Sequence, residues 1–202
     1  MYKHYPSIVF GFHACDQNVA EKLINGPREF KPSENDYDWL GSGMYFWENS
    51  LHRAERFAET LVDRGQISDP CVIGAAINLG HCLDLVDSGS LSLLRSAYDA
   101  LRDTLKAAGC ELDLQNNDVD GSGDVLKREL DCAIINFLHS QQDDDEGLIP
   151  FDSVRGVFWE GDELYPGSAF KDKNHIQLCI RNPNCIKGYF WPLEEQTDCP
   201  VV

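Results

Sequence analysis

The segment that most restricts the fold is the turn GSG at residues 41–43, which runs directly into the apolar and aromatic stretch MYFW at residues 44–47. Glycine and serine are typical of tight turns, and aromatic residues favour an extended, half-buried strand. The sequence therefore predicts a strand that begins abruptly after a turn. The apolar runs at residues 8–13 and 175–180 predict two further short strands of the same kind.

Each of these three strands presents a polar side chain that could serve a site. The three residues are His13, Tyr45 and Gln177. Functional groups are often held at the ends of strands, where a rigid sheet fixes their position and a loop gives access to them. We therefore take these three residues as the candidate site, although a single histidine or tyrosine in such a position would usually serve only the core.

Helical spacing of apolar residues separates two strand-rich parts of the chain. Residues 90–140 predict a hairpin of two helices, the first ended by Gly109 and the second running over residues 125–139. Shorter helices are predicted at residues 18–25, with Asp16 as the N-cap, and at residues 50–64. Strands are predicted at the start of residues 71–86 and at residues 154–159 and 185–190. We therefore expect an α+β fold in which residues 1–202 form one domain with a helical insertion.

Composition limits the compartment and the partners. The chain of 202 residues has a hydrophobic content of 43%, and it has neither an apolar run of membrane-spanning length nor an N-terminal signal pattern. Its eight cysteines are irregularly spaced without a CxxC pair, which favours reduced thiols in a cytoplasmic protein over disulfides or zinc. The net charge of −17 disfavours nonspecific binding to nucleic acid.

The order of the three strand motifs resembles that of the ADP-ribosyltransferases, and most of all the branch with diphtheria toxin and the poly(ADP-ribose) polymerases. GFHAC at residues 11–15 resembles the family's YHGT, LGSGMYFW at residues 40–47 its GKGIYFA, and NHIQLCI at residues 174–180 its NEYIVYD. The resemblance covers residues 8–60 and 150–192. It implies a split β-sandwich around an NAD cleft, and transfer of one ADP-ribose unit from NAD to a protein or nucleic acid with release of nicotinamide.

The resemblance also implies roles for individual residues. His13 would hydrogen-bond the adenine-side ribose, the backbone of Ala14 would bind the nicotinamide amide, and Tyr45 would stack on the nicotinamide ring. A second aromatic from the following helix falls at Arg56 or Phe57, of which Phe57 can stack. The remaining residues expected to bind NAD lie in the polar loop of residues 31–38 and in the turn, and they are Ser33, Asn35 and Gly43.

Gln177 occupies the position of the family's glutamate. Its amide oxygen can accept the bond from the ribose hydroxyl, but it adds no negative charge, so single transfer is expected rather than polymer elongation. His175, two residues earlier, stands where related toxins select the acceptor, and arginine-specific members carry glutamate there. Tyr165 and Phe170 lie in the preceding loop, which faces the acceptor in the family.

Several alternatives stay open. The site could bind NAD or ADP-ribose without catalysis, or hydrolyse NAD with water as the acceptor. Residues 118–129 fit an EF-hand calcium loop from Asp118 to Glu129, but the entering helix is missing, so a turn capping the second helix at Ser122 or Asp124 is favoured and no metal is expected. A bacterial toxin or defence enzyme would suit a domain of this size, with an antitoxin or immunity protein as a further partner.

Overall fold

The computed structural model of the chain describes residues 8–26, 31–36, 38–117 and 124–193. Four α-helices lie within these ranges: α1 (Gln17–Asn25), α2 (Leu51–Asp63), α3 (Ser88–Ala107) and α4 (Glu129–Asp143). A 3₁₀ turn covers Pro183–Cys185. In the described part of the chain, no helix is both long and apolar enough to cross a membrane.

Nine strands complete the described structure. They are β1 (Val9–Asp16), β2 (Met44–Glu48), β3 (Pro70–Ile77), β4 (Cys82–Asp84), β5 (Asn116–Asn117), β6 (Lys127–Arg128), β7 (Ser153–Phe158), β8 (His175–Ile180) and β9 (Ile186–Phe190). Seven of them form one sheet in the order β4-β7-β8-β2-β1-β3-β9, and β5 pairs with β6. Only β4 and β7 run parallel, so the fold is α+β with a mixed sheet.

The sheet is continuous because β2 pairs with a neighbour on each edge. It pairs antiparallel with β1 on one side and with β8 on the other. The resemblance implied two packed sheets, whereas the described strands form a single hydrogen-bonded sheet and a separate two-stranded ribbon. The ladder between β1 and β2 is short, however, with Gly11 opposite Glu48 and Phe12 opposite Trp47.

Alternation along the strands divides the core between the two faces of the sheet. Met44 and Phe46 of β2 and Leu178 and Ile180 of β8 pack with α1 on one face. Phe46, Leu178 and Ile180 are completely buried, and burial of such a side chain stabilises the fold by roughly 1.5–3 kcal/mol. This face is therefore a closed hydrophobic core.

The opposite face is covered by two separate groups of helices. The hairpin of α3 and α4 packs over β4, β7 and Cys179 of β8. Helix α2 packs over β1 and β2 through Ala54 and Ala58, which contact Ala14 and Trp47. The two groups therefore cover different parts of this face.

The predicted helices and strands are found with shifted ends. Helix α4 begins at Glu129 and not at residue 125, because Lys127–Arg128 pair with Asn116–Asn117 and the carbonyl of Leu126 accepts a hydrogen bond from Trp39 Nε1 at 2.8 Å. Asp16 lies at the N-cap of α1 without a capping bond. Its carboxylate accepts hydrogen bonds from the backbone amides of residues 68 and 69 instead.

Most of the considered calcium loop, with Asp118, Asp120 and Ser122, lies outside the described residues. The described end of that segment has other contacts. Asp124 does not cap α4, because its carboxylate accepts from the Gly161 amide at 2.8 Å and from Lys171 Nζ at 3.2 Å. Glu129 pairs with Lys127 at 2.6 Å. Among the described residues, no group of three or more metal-ligating side chains is close enough to hold a metal ion.

Candidate functional site

Three adjacent strands bring the candidate residues together. His13 lies on β1, Tyr45 on β2 and Gln177 on β8, and β2 lies between the other two. Trp47 of β2 relates the positions on the two neighbouring strands, because it is opposite Phe12 of β1 and also opposite Gln177 of β8. Residues separated by more than 160 positions in the sequence thus lie side by side in the sheet.

These strands open into a cavity of about 760 Å³, which is also lined by residues of α2 and by Trp39, Leu126 and Glu160. Cofactor sites are typically clefts of about 300–1,000 Å³. Every residue that the sequence analysis assigned to NAD lines this cavity, and these residues are His13, Ala14, Ser33, Asn35, Gly43, Tyr45, Phe57 and Gln177.

Tyr45 is fixed by its own hydroxyl group. The hydroxyl donates to the carbonyl of Gly41 at 2.7 Å and accepts from the amide of Leu40 at 2.8 Å. Gly41 has a φ of +78°, which glycine adopts without strain, and this turn brings the two backbone groups towards the ring. Burial raises the pKa of Tyr45 well above its usual range. The side chain is therefore a neutral ring held in one orientation at the cavity wall.

The His13 side chain donates to a backbone carbonyl group of β2 that would otherwise accept from β1. Its Nδ1 lies 2.8 Å from the carbonyl oxygen of Tyr45. A carbonyl only accepts, so Nδ1 carries the proton, and burial lowers the pKa of His13 and favours the neutral ring. In a neutral imidazole with Nδ1 protonated, Nε2 has a lone pair. His13 can therefore accept a hydrogen bond from a ligand hydroxyl group.

The same contact separates β1 from β2 at Ala14. The ladder has hydrogen-bonded pairs at every second residue, since the Asn49 amide donates to the Phe10 carbonyl and Phe12 is opposite Trp47. The next pair would join Ala14 to Tyr45, but the ladder ends at Phe12. Because His13 occupies the Tyr45 carbonyl, the edge of Ala14 that faces β2 has no ladder partner. That backbone edge can bind a ligand amide.

The other cavity residues support these groups. Phe57 of α2 lies with its ring centre 4.8 Å from that of Trp47, tilted by 49°. Ser33 and Gly43 exchange two backbone hydrogen bonds of 2.8 and 3.1 Å, which fixes the polar loop against the turn. Asn35 Nδ2 donates to Ser33 Oγ at 2.8 Å. The half-buried Gln177 has no side-chain hydrogen bond to another described residue, so its amide is available to a ligand.

The residues expected to face an acceptor lie outside the cavity. Tyr165 and Phe170 are exposed at 58% and 64% of their surface, on the loop between β7 and β8. His175 is buried, with its ring stacked on Phe158 at 5.5 Å and on Trp39 at 6.2 Å. An acceptor therefore cannot contact the His175 side chain directly in this conformation, because two aromatic rings pack against it.

Most of the charged residues of the cavity were not expected from the sequence. Five are basic and four are acidic among the described residues: Lys31, Arg53, Arg56, Arg64 and Lys173, and Asp38, Glu59, Asp63 and Glu160. The cavity is thus close to electrically balanced in a chain with a net charge of −17. The pattern of basic residues at positions 53, 56 and 64 on one side of α2 was the signal available in the sequence.

Two buried hydrogen-bond donors on cavity residues lack partners. Trp47 Nε1 and Arg53 Nε have no hydrogen-bonding partner in the described structure. Both atoms can only donate, and an unsatisfied buried donor costs about 1–3 kcal/mol. An acceptor atom of a bound ligand would remove that cost, so both observations are consistent with a site that binds an oxygen-rich molecule.

Comparison with known proteins gives one distant relative. The chain is 23% identical over 200 residues to an uncharacterised protein of the archaeon Methanocaldococcus jannaschii, covering 92% of this chain and 88% of that protein. No protein-family model matches the chain. No solved structure matches it either.

Proposed function

We propose that this protein is an NAD-dependent mono-ADP-ribosyltransferase that modifies a macromolecule and releases nicotinamide. The observation that supports the proposal most is the convergence of His13, Tyr45 and Gln177 on adjacent strands around one cavity. The finer fold, an ADP-ribosyltransferase-like arrangement split around an NAD cleft, is part of the same proposal. It is supported by the parting of β1 and β2 after Phe12, where the cavity opens.

In this proposal the nicotinamide lies between Tyr45 and Phe57. The fixed Tyr45 ring provides one stacking surface, and the free backbone edge of Ala14 binds the carboxamide. His13 Nε2 accepts from a hydroxyl of the adenine-side ribose. The basic cavity residues provide the charge that the diphosphate needs, because a chain with a net charge of −17 would otherwise repel it.

Breaking the bond between nicotinamide and ribose builds positive charge on the ribose. Enzymes accelerate such a step through interactions that are stronger in the transition state than in the ground state. The amide oxygen of Gln177 would accept from the ribose hydroxyl and present a partial negative charge to the oxocarbenium-like ribose. A full carboxylate is absent at this position, which favours a single transfer over polymer elongation.

The test is release of nicotinamide from NAD by the purified protein, followed by chromatography. Radiolabelled NAD incubated with a cell lysate, and then digested with protease or with nuclease, identifies the acceptor as protein or nucleic acid. We expect NAD to bind, nicotinamide to be released and label to enter one of the two fractions. Absence of both NAD binding and nicotinamide release would reject the proposal.

A non-catalytic NAD-binding module is the second candidate. It is favoured by one observation, the neutral side chain of Gln177 where a charged one would assist bond cleavage. The two candidates differ in a single measurement. A module would bind NAD in titration calorimetry but release no nicotinamide with or without lysate, whereas release in buffer alone, without label transfer, would indicate NAD glycohydrolysis.

A further inference from the structure

A carboxylate missed by the sequence analysis lies on the wall of the proposed NAD cavity. Glu160 follows the end of β7 by two residues, and its carbonyl accepts from the Lys173 amide at 3.1 Å. Its side chain is 13% exposed and lines the cavity with Gln177. Gly156 of β7 is opposite Gln177, and Phe158, two residues before Glu160, is opposite His175.

The contacts of Glu160 hold one carboxylate oxygen and leave the other open. Arg53 Nη2 donates to Oε2 at 2.9 Å, and this pair joins α2 to the end of β7. His175 Nδ1 is 3.6 Å from the same oxygen. It is not an ionic partner, because burial lowers the pKa of His175 and its Nδ1 bonds the Lys173 carbonyl at 2.7 Å. Oε1 has no hydrogen bond to a described residue.

The other three carboxylates of the cavity are less suited to chemistry. Asp38 is occupied by Asn35, whose backbone amide and side-chain amide donate to its two oxygens at 3.0 and 3.3 Å. Glu59 and Asp63 are exposed on α2. Among the described residues that line the cavity, Glu160 is therefore the carboxylate that is both shielded from solvent and open at one oxygen.

We propose that Glu160 is the general base of the transfer step, an inference that rests on the proposed function. The bond between C1′ of the ribose and the ring nitrogen of nicotinamide breaks, and its electron pair neutralises the pyridinium. A hydroxyl or N–H group of the acceptor forms the new bond to C1′, and its proton passes to Oε1 of Glu160. Gln177 serves the ribose, and Glu160 serves the incoming nucleophile.

This assignment also restricts the acceptor. A nucleophile that carries a proton, such as a hydroxyl or an amide or amine N–H, needs a base, and general base catalysis typically contributes about 10²- to 10⁴-fold. A carboxylate acceptor needs no base and would be repelled by Glu160. The acceptor is therefore a hydroxyl or N–H group and not an aspartate or glutamate side chain.

Chemical rescue by azide tests the inference, because azide attacks C1′ without losing a proton. With water as the only other nucleophile, Glu160→Gln should release nicotinamide on the order of 10²-fold more slowly than the wild type. Added sodium azide should then raise release by Glu160→Gln at least about tenfold and give ADP-ribosyl azide, detected by mass spectrometry. The wild type and Gln177→Ala, whose defect is not in proton transfer, should show no such increase.

Two further measurements separate chemistry from structure. NAD affinity of Glu160→Gln by calorimetry should stay within about threefold of the wild type. Arg53→Gln removes the ion pair but keeps the carboxylate, so azide should not accelerate it. If Glu160→Gln does not fold, Glu160→Asp, with its displaced carboxylate, takes its place and should show a slower release that azide restores.

The inference is overturned if Glu160→Gln turns over NAD within threefold of the wild type, or if azide fails to accelerate it. Equal acceleration of the wild type and Gln177→Ala would also overturn it. Failure of the proposed function would give a different result, because the wild type itself would then neither bind NAD nor release nicotinamide.

Discussion

His13 Nδ1 donates to the backbone carbonyl of Tyr45 at 2.8 Å, in the position that the amide of Ala14 would occupy if the ladder between β1 and β2 continued. One side-chain contact thus ends the pairing of the two strands and fixes the imidazole tautomer. It also leaves the backbone edge of Ala14 open to the cavity. The arrangement explains why a histidine followed by a small residue can form a binding edge within a sheet.

Two substitutions of Tyr45 separate the effect of its ring, which would stack on NAD, from the effect of its hydroxyl group, which bonds the backbone. Tyr45→Ala removes the ring and should weaken NAD binding by roughly 1–3 kcal/mol, by analogy with bases that stack on aromatic side chains, and abolish turnover. Tyr45→Phe keeps the ring but leaves the amide of the buried Leu40 without its partner, which should destabilise the fold by about 1–3 kcal/mol. Calorimetry gives the NAD affinity and thermal melting gives the stability.

The two variants should therefore fail in different ways. Tyr45→Phe should melt at a lower temperature than the wild type and bind NAD within about threefold of it. A folded Tyr45→Ala protein with wild-type turnover would remove Tyr45 from the site.

The three strand motifs could be predicted from the sequence because a strand is indicated by residues that are adjacent in the chain. Short apolar and aromatic runs located the strands of His13, Tyr45 and Gln177. The ion pair of Arg53 and Glu160 was not readable, because its partners are 107 residues apart and meet only when α2 crosses the end of β7. Pairing across such a distance leaves no periodic signal in the chain.

Contacts with Trp39 account for two differences from expectation: the start of the second helix, predicted at residue 125, and the position of His175, for which the resemblance implied a place facing the acceptor. Val125 and Leu126 continue the apolar spacing of α4, yet the Trp39 indole binds the Leu126 carbonyl and keeps it out of the helix. The guanidinium of Arg128 then lies 4.8 Å from the Trp39 ring centre, outside the helix as its N-cap. His175 is similarly buried by Trp39, whose position the local sequence around residue 175 does not indicate.

Gly43 should not tolerate a side chain. A Cβ at this position would lie 2.5 Å from Cys179 Sγ and 2.7 Å from the Ile180 carbonyl oxygen, so β2 and β8 would have to move apart. Overpacking of this kind typically costs about 1–3 kcal/mol. Gly43→Ala should therefore lower the melting temperature by several degrees, and it should weaken NAD binding because Gly43 lines the cavity.

Gly188→Ala is the matched control for this change. A Cβ at Gly188 meets no atom within 4 Å. Its melting temperature and NAD affinity should stay close to the wild type, and a Gly43→Ala protein that behaves in the same way would contradict the close approach of the two strands.

His139 should make the protein less stable in mild acid. It is 3% exposed, neither ring nitrogen has a hydrogen-bond partner in the described structure, and burial, with a smaller effect of Arg181, lowers its pKa from 6.5 to about 3. The unfolded chain therefore binds a proton that the folded chain does not between about pH 6.5 and 3. Stability is complete above pH 6.5 and falls as the pH drops, by up to about 1.4 kcal/mol per pH unit for this residue.

Urea unfolding at pH 7.5, 6.0 and 5.0 measures this slope. His139→Leu removes the titrating group and should reduce the slope by about one proton. The remaining slope comes from the buried His13 and His175, whose pKa values are also lowered. His52, with a side chain 82% exposed, supplies the control for loss of a surface histidine, and the stability of His52→Gln at pH 7.5 should stay close to that of the wild type. An unaltered slope in His139→Leu would show that His139 is protonated in the folded protein.

Gln177 gives the most decisive test of the site. If its amide acts chiefly in the transition state, Gln177→Ala should lower the rate of nicotinamide release on the order of 10²-fold with little change in NAD affinity, as for other single electrostatic stabilisers. Gln177→Glu places a full negative charge beside the developing oxocarbenium ion, and it should retain or raise NAD hydrolysis. Single-turnover release of nicotinamide and calorimetric NAD binding distinguish the two effects. If both variants behave like the wild type, Gln177 does not contact the reacting ribose, and β8 contributes no catalytic residue at this position.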